Sequence, residues 1–410
     1  MSQETLPTND EIMTVIGQHP VETTTLSFEQ LGLSEKVLGF IKSVGFKNPT
    51  PIQSAVIPPA LEGRDLIGLA QTGSGKTAAF VLPLAERLLH GHGIRGLILC
   101  PTREIALQTK AFLDLFGKHH HLKTVCLIGG VKMGPQVRDL QNKPDILVTT
   151  PGRLADHLDR KIVRLDQIQE LVLDEADHML DMGFMPQIED ILSQVPKVRH
   201  TMMFSATMPS SIERLAQRFL KDPVRIDVLP EGRAAEGITH RLYLVENHNK
   251  ISCLQALLQL ELGSTLIFTQ TKVDADWLWR ILDREKHIVG KIHSDCSQSE
   301  RTAALKDFRE GKLKVLIATG IASRGLDVPA IAHVINYDMP ETVEEYIHRA
   351  GRTARGDAVG FVSTIATGMD KPLINAVETA LGQKLPRCIA PGIEPYIEIE
   401  TKPKRSKKRW

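Results

Sequence analysis

The residues best suited to chemistry form one short segment, Ala70-Gln71-Thr72-Gly73-Ser74-Gly75-Lys76-Thr77. It follows the apolar run 66–69 and leads into residues 78–82, which have a helical pattern. A strand, a glycine-rich turn and a helix in this order let backbone N–H groups wrap a phosphate chain. Lys76 can then reach the outer phosphates, and the Thr77 hydroxyl can bind Mg²⁺. We therefore predict a nucleotide site here, although Ala70 stands where the usual pattern has glycine.

A second segment, Asp174-Glu175-Ala176-Asp177, follows the apolar run 171–173. Carboxylates after a buried strand lie at the sheet edge where α/β folds bind ligands. Asp174 can hold Mg²⁺ opposite Thr77, and Glu175 can orient and deprotonate the water that attacks the γ-phosphate. An acidic tetrapeptide alone is as typical of a helix N-terminus. Its pairing with the phosphate loop favours nucleotide hydrolysis.

Short β-branched apolar runs alternate with helical patterns from Phe28 onwards, and their bounds are as follows. In the first half we predict strands at 66–69, 96–100, 124–128, 145–149, 170–173 and 201–204, and helices at 104–116 and 211–220. In the second half we predict strands at 241–245, 265–268, 314–318, 333–337 and 361–365, and helices at 273–284, 298–309, 341–349 and 373–381. Continuous apolar strands separated by helices predict parallel sheets covered on both faces.

Breaks in this alternation predict five segments. They are an acidic extension (1–25), a first domain (26–228), a linker with Pro230, Gly232 and Gly237 (229–237), a second domain (238–386) and a basic tail (387–410). Only the first domain contains a phosphate loop. The second has arginines suited to contacting a nucleotide from outside, which predicts a ligand in the cleft between the domains.

Composition narrows the class of protein. The 410 residues are 42% hydrophobic and 24% charged, which is typical of a globular protein with a substantial core. A formal net charge of +1 indicates no strong overall field, yet it allows a local basic groove for nucleic acid. The five cysteines include no Cys-x-x-Cys pair, and no signal pattern or membrane-length apolar run occurs. We predict a cytoplasmic protein.

Further motifs, in order from about residue 28 to 365, resemble those of the DEAD-box RNA helicases of superfamily 2. The resemblance implies an α/β fold of two tandem RecA-like parallel-sheet domains with the nucleotide in the cleft between them. It implies that Gln53 reads the adenine edge, since an amide supplies both a donor and an acceptor, and that Phe28 stacks on the ring. It also implies that Asp327 contacts the ribose, and that Arg352 and Arg355 reach the γ-phosphate.

The resemblance also implies the residues that bind RNA and those that couple hydrolysis to strand opening. The RNA contacts would be Pro101, Thr102, Arg103, Gly129, Gly130, Thr150, Gly152 and Arg153 in the first domain, and Gln270, Thr271, Arg301 and Thr319 in the second. The coupling residues would be Asp177, Ser205, Thr207 and His348. Three positions depart from the family pattern, namely Ile105, Gly320 and Ala354, and Gly320 is expected to loosen contacts between the second domain and RNA.

The leading prediction is an ATP-dependent RNA helicase with Lys76, Glu175, Arg352 and Arg355 as catalytic residues and ATP and Mg²⁺ as cofactors. ATP and RNA would each favour a closed arrangement of the domains and so strengthen each other's binding. RNA would be held mainly through its backbone by a monomer, with protein partners supplying the target. An ATP-gated RNA clamp uses the same residues and stays open as an alternative. A DNA translocase and a small-molecule kinase fit the motifs less well.

Overall fold

A computed structural model describes residues 26–70, 73–228, 237–260, 262–320, 331–354 and 359–394. The predicted acidic extension lies outside these residues, as do Thr72, Asp327, Arg355, most of the predicted linker and the tail from residue 395 onwards. The described residues form two compact units. We call the residues up to 228 unit 1 and those from 237 onwards unit 2. No helix in the described ranges is long and apolar enough to cross a bilayer.

Unit 1 begins with a short 3₁₀ turn, Phe28–Leu31. Its helices are α1 (Glu35–Ser43), α2 (Pro51–Leu61), α3 (Lys76–Arg87), α4 (Arg103–His120), α5 (Met133–Gln141), α6 (Pro151–Asp159), α7 (Ala176–Asp181), α8 (Met185–Gln194) and α9 (Ser210–Phe219). Its strands are β1 (Leu66–Leu69), β2 (Gly96–Leu99), β3 (Thr124–Leu127), β4 (Ile146–Thr149), β5 (Glu170–Leu173), β6 (His200–Ser205) and β7 (Val224–Asp227).

The strands of unit 1 form a parallel sheet in the order β3-β4-β2-β5-β6-β1-β7. Successive side chains of a strand point to opposite faces. Accordingly, Ile98 and Val172 pack into one apolar cluster, whereas Leu97 and Leu171 pack into another. Burial on both faces explains why these strands are continuous apolar runs in the sequence.

Unit 2 repeats this arrangement. Its strands are β8 (Ile238–Leu244), β9 (Thr265–Thr269), β10 (Val289–Ile292), β11 (Val315–Thr319), β12 (His333–Asn336), β13 (Gly360–Ala366) and β14 (Arg387–Cys388). Its helices include α10 (Lys250–Leu258), α11 (Lys272–Arg284), α12 (Gln298–Arg309), α13 (Val343–Ala350) and α14 (Lys371–Leu381). The parallel sheet has the order β10-β11-β9-β12-β13-β8-β14, and Ile267, Ile317 and Ile335 belong to its core.

The predicted α/β class with parallel sheets is confirmed. The structure differs from the prediction at the C-terminal part, where the sequence predicts a basic tail from residue 387 onwards. Arg387 and Cys388 instead pair with Leu242 and Tyr243 at the edge of the second sheet. Buried Glu378 accepts hydrogen bonds from Arg387 and from the Leu385 N–H, and these contacts bring the short strand to the sheet.

Candidate nucleotide and RNA site

The phosphate loop connects β1 to the first turn of α3. Gly73 and Gly75 have φ angles of +88° and +91°, which L-residues with side chains rarely adopt. A Cβ at Gly75 would also lie 2.5 Å from Gln53 Nε2. Glycine is therefore required at position 75 by both conformation and space, and the loop presents its backbone at the start of α3, with Ser74 before it and Thr77 in the first turn.

Lys76 and Asp174 supply the buried charges of this region. The Lys76 ammonium donates to the Ala70 carbonyl at 2.8 Å and is 7% exposed. Asp174 follows β5 and is 4% exposed, and its Oδ1 has no hydrogen-bond partner among the described residues. Burial, followed by repulsion from Glu175, raises the pKa of Asp174 to about 7 despite the attraction of Lys76. A buried carboxylate oxygen of this kind suits a cation ligand.

Glu175 has a left-handed backbone conformation, with a φ of +48° and a ψ of +56°. Such a conformation costs roughly 1–3 kcal/mol for a residue with a side chain and occurs preferentially at functional sites. It immediately precedes α7, and the Glu175 side chain lies 3.1 Å from the ring of His178. The sequence motif points to Glu175 but gives no sign of this contact with histidine.

Asp177 connects the ends of β5 and β6. Its Oδ2 accepts hydrogen bonds from the backbone N–H groups of Ala206 and Thr207 and from the Thr207 hydroxyl, at 2.9–3.1 Å. The Asp177 N–H donates to Ser205 Oγ at 3.3 Å. The structure thus brings together three predicted coupling residues, Asp177, Ser205 and Thr207. Their role in coupling stays a prediction.

The two predicted adenine-binding residues are buried within unit 1. Gln53 is 2% exposed; its amide oxygen accepts from the Thr50 N–H at 3.0 Å, and its nitrogen donates to the Gly75 carbonyl at 3.2 Å. These bonds attach α2 to the phosphate loop. The ring of Phe28 is 3% exposed and stacks on Phe46, with the centroids 6.2 Å apart. Neither of these contacts tests whether Gln53 and Phe28 bind adenine.

The predicted RNA contacts of unit 1 follow three neighbouring strands, β2, β4 and β3. Arg103, at the start of α4, lies against Gly129 and Gly130, and a Cβ at Gly130 would overlap its guanidinium. Arg153 of α6 donates to the Val131 carbonyl at 2.9 Å and so holds the same loop. The other predicted contacts of this unit lie at the same edge, namely Pro101 and Thr102 before α4, Thr150 after β4 and Gly152 in α6.

The predicted RNA contacts of unit 2 lie after β9, at the end of β11 and on α12. Thr271 caps α11, where its hydroxyl accepts from the Asp274 N–H at 3.1 Å. The neighbouring Gln270 is exposed, and its N–H donates to Asp338 at 3.0 Å. Thr319 ends β11 and Arg301 lies in the first turn of α12; both are partly exposed.

Gly320, one of the departures from the family pattern, faces a buried ion pair. A Cβ at this position would overlap Glu345 Oε1. That oxygen accepts from Arg349 Nε at 3.1 Å and from its Nη2 at 2.7 Å. Arg349 is 3% exposed and also donates to Asn336 and to the Asp338 carbonyl. The carboxylate of Glu345 therefore occupies the space that a side chain at position 320 would need, which the sequence alone does not indicate.

Two further predicted site residues of unit 2 lie on or just after α13. His348 lies in its last turn and is half-buried, whereas Arg352 follows the helix and is 4% exposed. Asp327 and Arg355 lie outside the described ranges, as does Thr72 of the phosphate loop. Their contacts with nucleotide stay predictions.

The phosphate loop, the buried Lys76 and the Asp174-Glu175 pair at one edge of a parallel sheet define a phosphate-loop nucleotide-binding protein with RecA-like units. The comparisons agree with this class. The DEAD/DEAH box helicase family model matches residues 50–215, and the model of the helicase conserved C-terminal domain matches residues 249–357.

Curated relatives and a solved structure match most of the chain. It is 39% identical to the DEAD-box ATP-dependent RNA helicase CshA of Bacillus cereus, over 91% of this chain and 71% of the relative. It is 40% identical to the DEAD-box ATP-dependent RNA helicase RhpA of Helicobacter pylori, over 84% of this chain and 70% of the relative. The structure of S. cerevisiae Dbp5 bound to RNA and ADP BeF3 has a TM-score of 0.80 at 30% identity, covering 89% of this chain and 96% of Dbp5. The chain belongs to the DEAD-box family of ATP-dependent RNA helicases.

Proposed function

We propose that this protein hydrolyses ATP in an RNA-dependent manner and uses the turnover to open short RNA duplexes or to remodel RNA–protein complexes. One observation carries the proposal. The same edge of the first sheet holds the phosphate loop, Asp174 and Glu175 and also the loops predicted to bind RNA. Family membership and the RNA and ADP BeF3 complex of Dbp5 support the same activity.

Glu175 is the general base in this proposal. Its carboxylate orients the attacking water and accepts its proton, while Lys76 stabilises the negative charge that develops on the phosphates. Arg352 and Arg355 of unit 2 complete the site when ATP draws the units together, because guanidinium groups present planar, permanently charged donors to phosphate oxygens. Closure therefore makes hydrolysis depend on both units.

Asp174 and the Thr77 hydroxyl would hold Mg²⁺. The buried Oδ1 of Asp174, which has no partner in the described part of the chain, fits a cation ligand. A bound cation would offset the burial and the repulsion from Glu175, which together raise the pKa of this carboxyl. A bound Mg²⁺ neutralises phosphate charge during phosphoryl transfer. We expect Asp174→Asn to weaken Mg²⁺ binding, so that more Mg²⁺ is needed for half-maximal hydrolysis, and to lower the rate of hydrolysis. Titrating Mg²⁺ at fixed ATP measures both effects.

RNA binds in this proposal through phosphate contacts, which give grip without reading sequence. Asp177 then links RNA binding to ATP hydrolysis, because it attaches the acidic segment after β5 to the Ser205–Thr207 loop after β6. Binding through phosphates releases counterions, so RNA affinity should fall steeply as salt rises. An affinity that is independent of salt would contradict this mode of binding.

The test compares ATP hydrolysis without nucleic acid, with single-stranded RNA and with the same sequence as DNA. We expect strong stimulation by RNA only, and loss of this stimulation in Glu175→Gln by about 10²- to 10⁴-fold. Glu189→Gln, in a partly exposed ion pair with Arg218 on the same unit, is the matched control and should behave as the wild type.

Three outcomes separate the alternatives. Equal stimulation by DNA would favour a DNA translocase, and absence of stimulation by either nucleic acid would contradict the proposed activity. RNA-stimulated hydrolysis without separation of a short RNA duplex, combined with ATP-dependent retention of RNA, would favour the clamp. A fluorescent duplex of about ten base pairs distinguishes unwinding from clamping in the same buffer.

We further propose that the protein acts as a monomer in the cytoplasm, with protein partners supplying the RNA target. Its cysteines are free thiols, which is typical of a reducing compartment. The basic segment Lys402–Trp410 is proposed to add non-specific RNA contacts. Deleting it should weaken RNA binding and leave ATP hydrolysis without RNA unchanged; an unchanged RNA affinity would contradict this role.

A further inference from the structure

The contact between His178 and Glu175 is the starting point. His178 Nδ1 lies 3.1 Å from Glu175 Oε2, and the two residues are three apart at the start of α7, a spacing that brings side chains to one helix face. The His178 side chain is 3% exposed and the Glu175 side chain 13%. The hydrogen bond is therefore shielded from bulk water.

The proposed role of Glu175 determines which ring nitrogen of His178 carries the hydrogen. A general base acts as its ionised carboxylate, which only accepts hydrogen bonds, so in the proposed active state Nδ1 carries the hydrogen and donates it to Glu175. The other ring nitrogen, Nε2, is buried without a hydrogen-bond partner in the described ranges. The histidine thus leaves a buried polar atom unsatisfied while it holds this carboxylate, an arrangement that packing alone does not require.

The backbone around the pair is also fixed. Glu175 has the left-handed conformation described above, and the His178 N–H donates to Asp177 Oδ1 at 2.9 Å. The other oxygen of Asp177 holds the loop at Thr207. The His178 end of the contact is therefore attached, through Asp177, to the loop after β6.

We propose that His178 is a positioning residue for Glu175. Its Nδ1–H holds Oε2, so the general base keeps one orientation and stays ready to accept the proton of the attacking water. A general base must lie within hydrogen-bond reach of the proton that it takes, and small misplacements cost large factors in rate. This inference rests on the proposed role of Glu175.

The test uses two substitutions of almost equal shape. Asn in His178→Asn can place an N–H donor near the position of Nδ1, whereas Leu in His178→Leu has no donor. We expect His178→Leu to lower kcat of RNA-stimulated ATP hydrolysis by about tenfold or more, with KM for ATP within about twofold. His178→Asn should keep kcat within about threefold of the wild type.

The control is His157→Leu on α6, another buried histidine whose ring nitrogens have no hydrogen-bond partners in the described part of the chain. It should leave kcat unchanged within about twofold. Thermal unfolding and ADP binding establish that each variant is folded. Where His178→Leu does not fold, His178→Gln replaces it, since its longer side chain displaces the donor, and it should lower kcat more than His178→Asn does.

A second measurement separates positioning from packing. If His178 acts through Glu175, adding His178→Leu to Glu175→Gln should not lower the residual rate further. An equal loss in the Asn and Leu variants, or a full additional loss in the double variant, would overturn the inference. A wild type without RNA-stimulated hydrolysis would instead contradict the proposed function, so the two failures are distinguishable.

Discussion

The two units have the same strand order but different loops. Subtracting seven from each strand number of the second sheet gives β3-β4-β2-β5-β6-β1-β7, which is the order of the first. Hence β8 corresponds to β1, β9 to β2 and β12 to β5. Because ligand chemistry in such folds lies in the loops after the strands, corresponding loops can be compared directly.

The comparison is sharpest at the lysine that begins the helix after the first strand of each unit. In unit 1 this is Lys76 of α3, which donates to a backbone carbonyl, while the Asp174 Oδ1 after β5 has no partner in the described ranges. In unit 2 the corresponding helix begins with Lys250, which forms an ion pair with Asp338 after β12. The two charges thus pair with each other in unit 2, whereas we propose that the corresponding charges of unit 1 serve a ligand.

The predicted RNA contacts, unlike the lysines, are alike in the two units, since they occupy corresponding positions. In unit 1 they follow β2, β3 and β4. In unit 2 they follow β9, end β11 or lie on the helix after β10. The proposed nucleotide site therefore belongs to unit 1, whereas the loops with the predicted RNA contacts, which we call the RNA edge, are repeated in unit 2. This pattern predicts that substitutions at corresponding lysines have unequal effects and those at corresponding RNA positions similar ones.

The largest expected effect tests the lysine comparison. We expect Lys76→Ala to lower kcat/KM for ATP by about 10²- to 10³-fold, because it removes the charge that stabilises the phosphates. Lys250→Ala should leave kcat/KM for ATP within about twofold. It should lower the free energy of unfolding of unit 2 by about 1–3 kcal/mol, because Asp338 keeps the Gln270 N–H but loses its charged partner. Steady-state ATPase assays and urea denaturation measure the two effects. A comparable loss of kcat/KM for ATP in both variants would contradict the comparison.

The second prediction concerns Gly320, which directly follows β11 in unit 2. Gly320→Asp should lower the free energy of unfolding of unit 2 by about 2–3 kcal/mol, since its side chain overlaps Glu345 and adds a like charge. Trp277 and Trp279 lie in α11, so tryptophan fluorescence during urea denaturation reports on this unit.

The double variant Gly320→Asp with Glu345→Ser provides the control. Removing the Glu345 carboxylate makes room for the new one, which can then pair with Arg349, so most of the stability should return. A double variant that is less stable than Gly320→Asp alone would show that Glu345 does not occupy the space in question.

The central strands and the phosphate loop could be predicted from sequence because their signals are local. The apolar runs of β2, β4 and β5 are buried on both faces, and the glycines and lysine of the loop are adjacent in the chain. The sequence does not predict the strands β7, β10 and β14. All three lie at sheet edges, where half-exposed residues weaken the apolar signal.

Helix α2 and the contacts between distant residues were missed for different reasons. Pro58 and Pro59 lie inside α2, although proline usually indicates the end of a helix. The contact of Glu345 with Gly320 joins residues 25 positions apart (345 − 320 = 25), and Lys250 and Asp338 are 88 apart. His178 is close to Glu175 in sequence, but a histidine after acidic residues at a helix start is too common to predict a contact.

The third prediction compares the carboxylates that hold the edge strands. Asp65 accepts from the N–H groups of Thr201 and Lys221, at 2.7 Å each, beside β7, and Glu378 holds β14. Burial opposes ionisation of Glu378, but hydrogen bonds from Lys384 and Arg387 outweigh it and lower its pKa to about 2. Because this value lies below the ordinary 4.5, the stabilisation is complete above about pH 4.5 and is lost as the pH falls towards 2.

Asp65→Asn and Glu378→Gln should each lower the free energy of local opening at the neighbouring edge strand by about 1–2 kcal/mol. Hydrogen exchange of residues 224–227 and 387–388 measures the opening. The effect of Glu378→Gln should shrink as the pH is lowered from 5 to 3. A difference from the wild type that does not change with pH would contradict the assigned pKa.

The smallest effect tests the repeated RNA edge. Thr102 caps α4 after β2, accepting from the Ile105 N–H at 3.3 Å, and Thr271 caps α11 after the corresponding β9. Each Thr→Ala substitution should lower the stability of its helix start by about 1 kcal/mol, and Thr→Ser should restore it because serine also caps. Hydrogen exchange of the backbone amides in the first turns of α4 and α11 measures this change in stability.

If the RNA edge is repeated, RNA affinity measured by fluorescence anisotropy should fall by a similar factor of a few in Thr102→Ala and Thr271→Ala, with recovery in both serine variants. Equal losses of helix stability with a loss of RNA affinity in only one unit would show that the threonines correspond as helix caps but not as RNA contacts. The common strand order would then explain where the side chains lie, and the ligand chemistry of each unit would have to be assigned loop by loop.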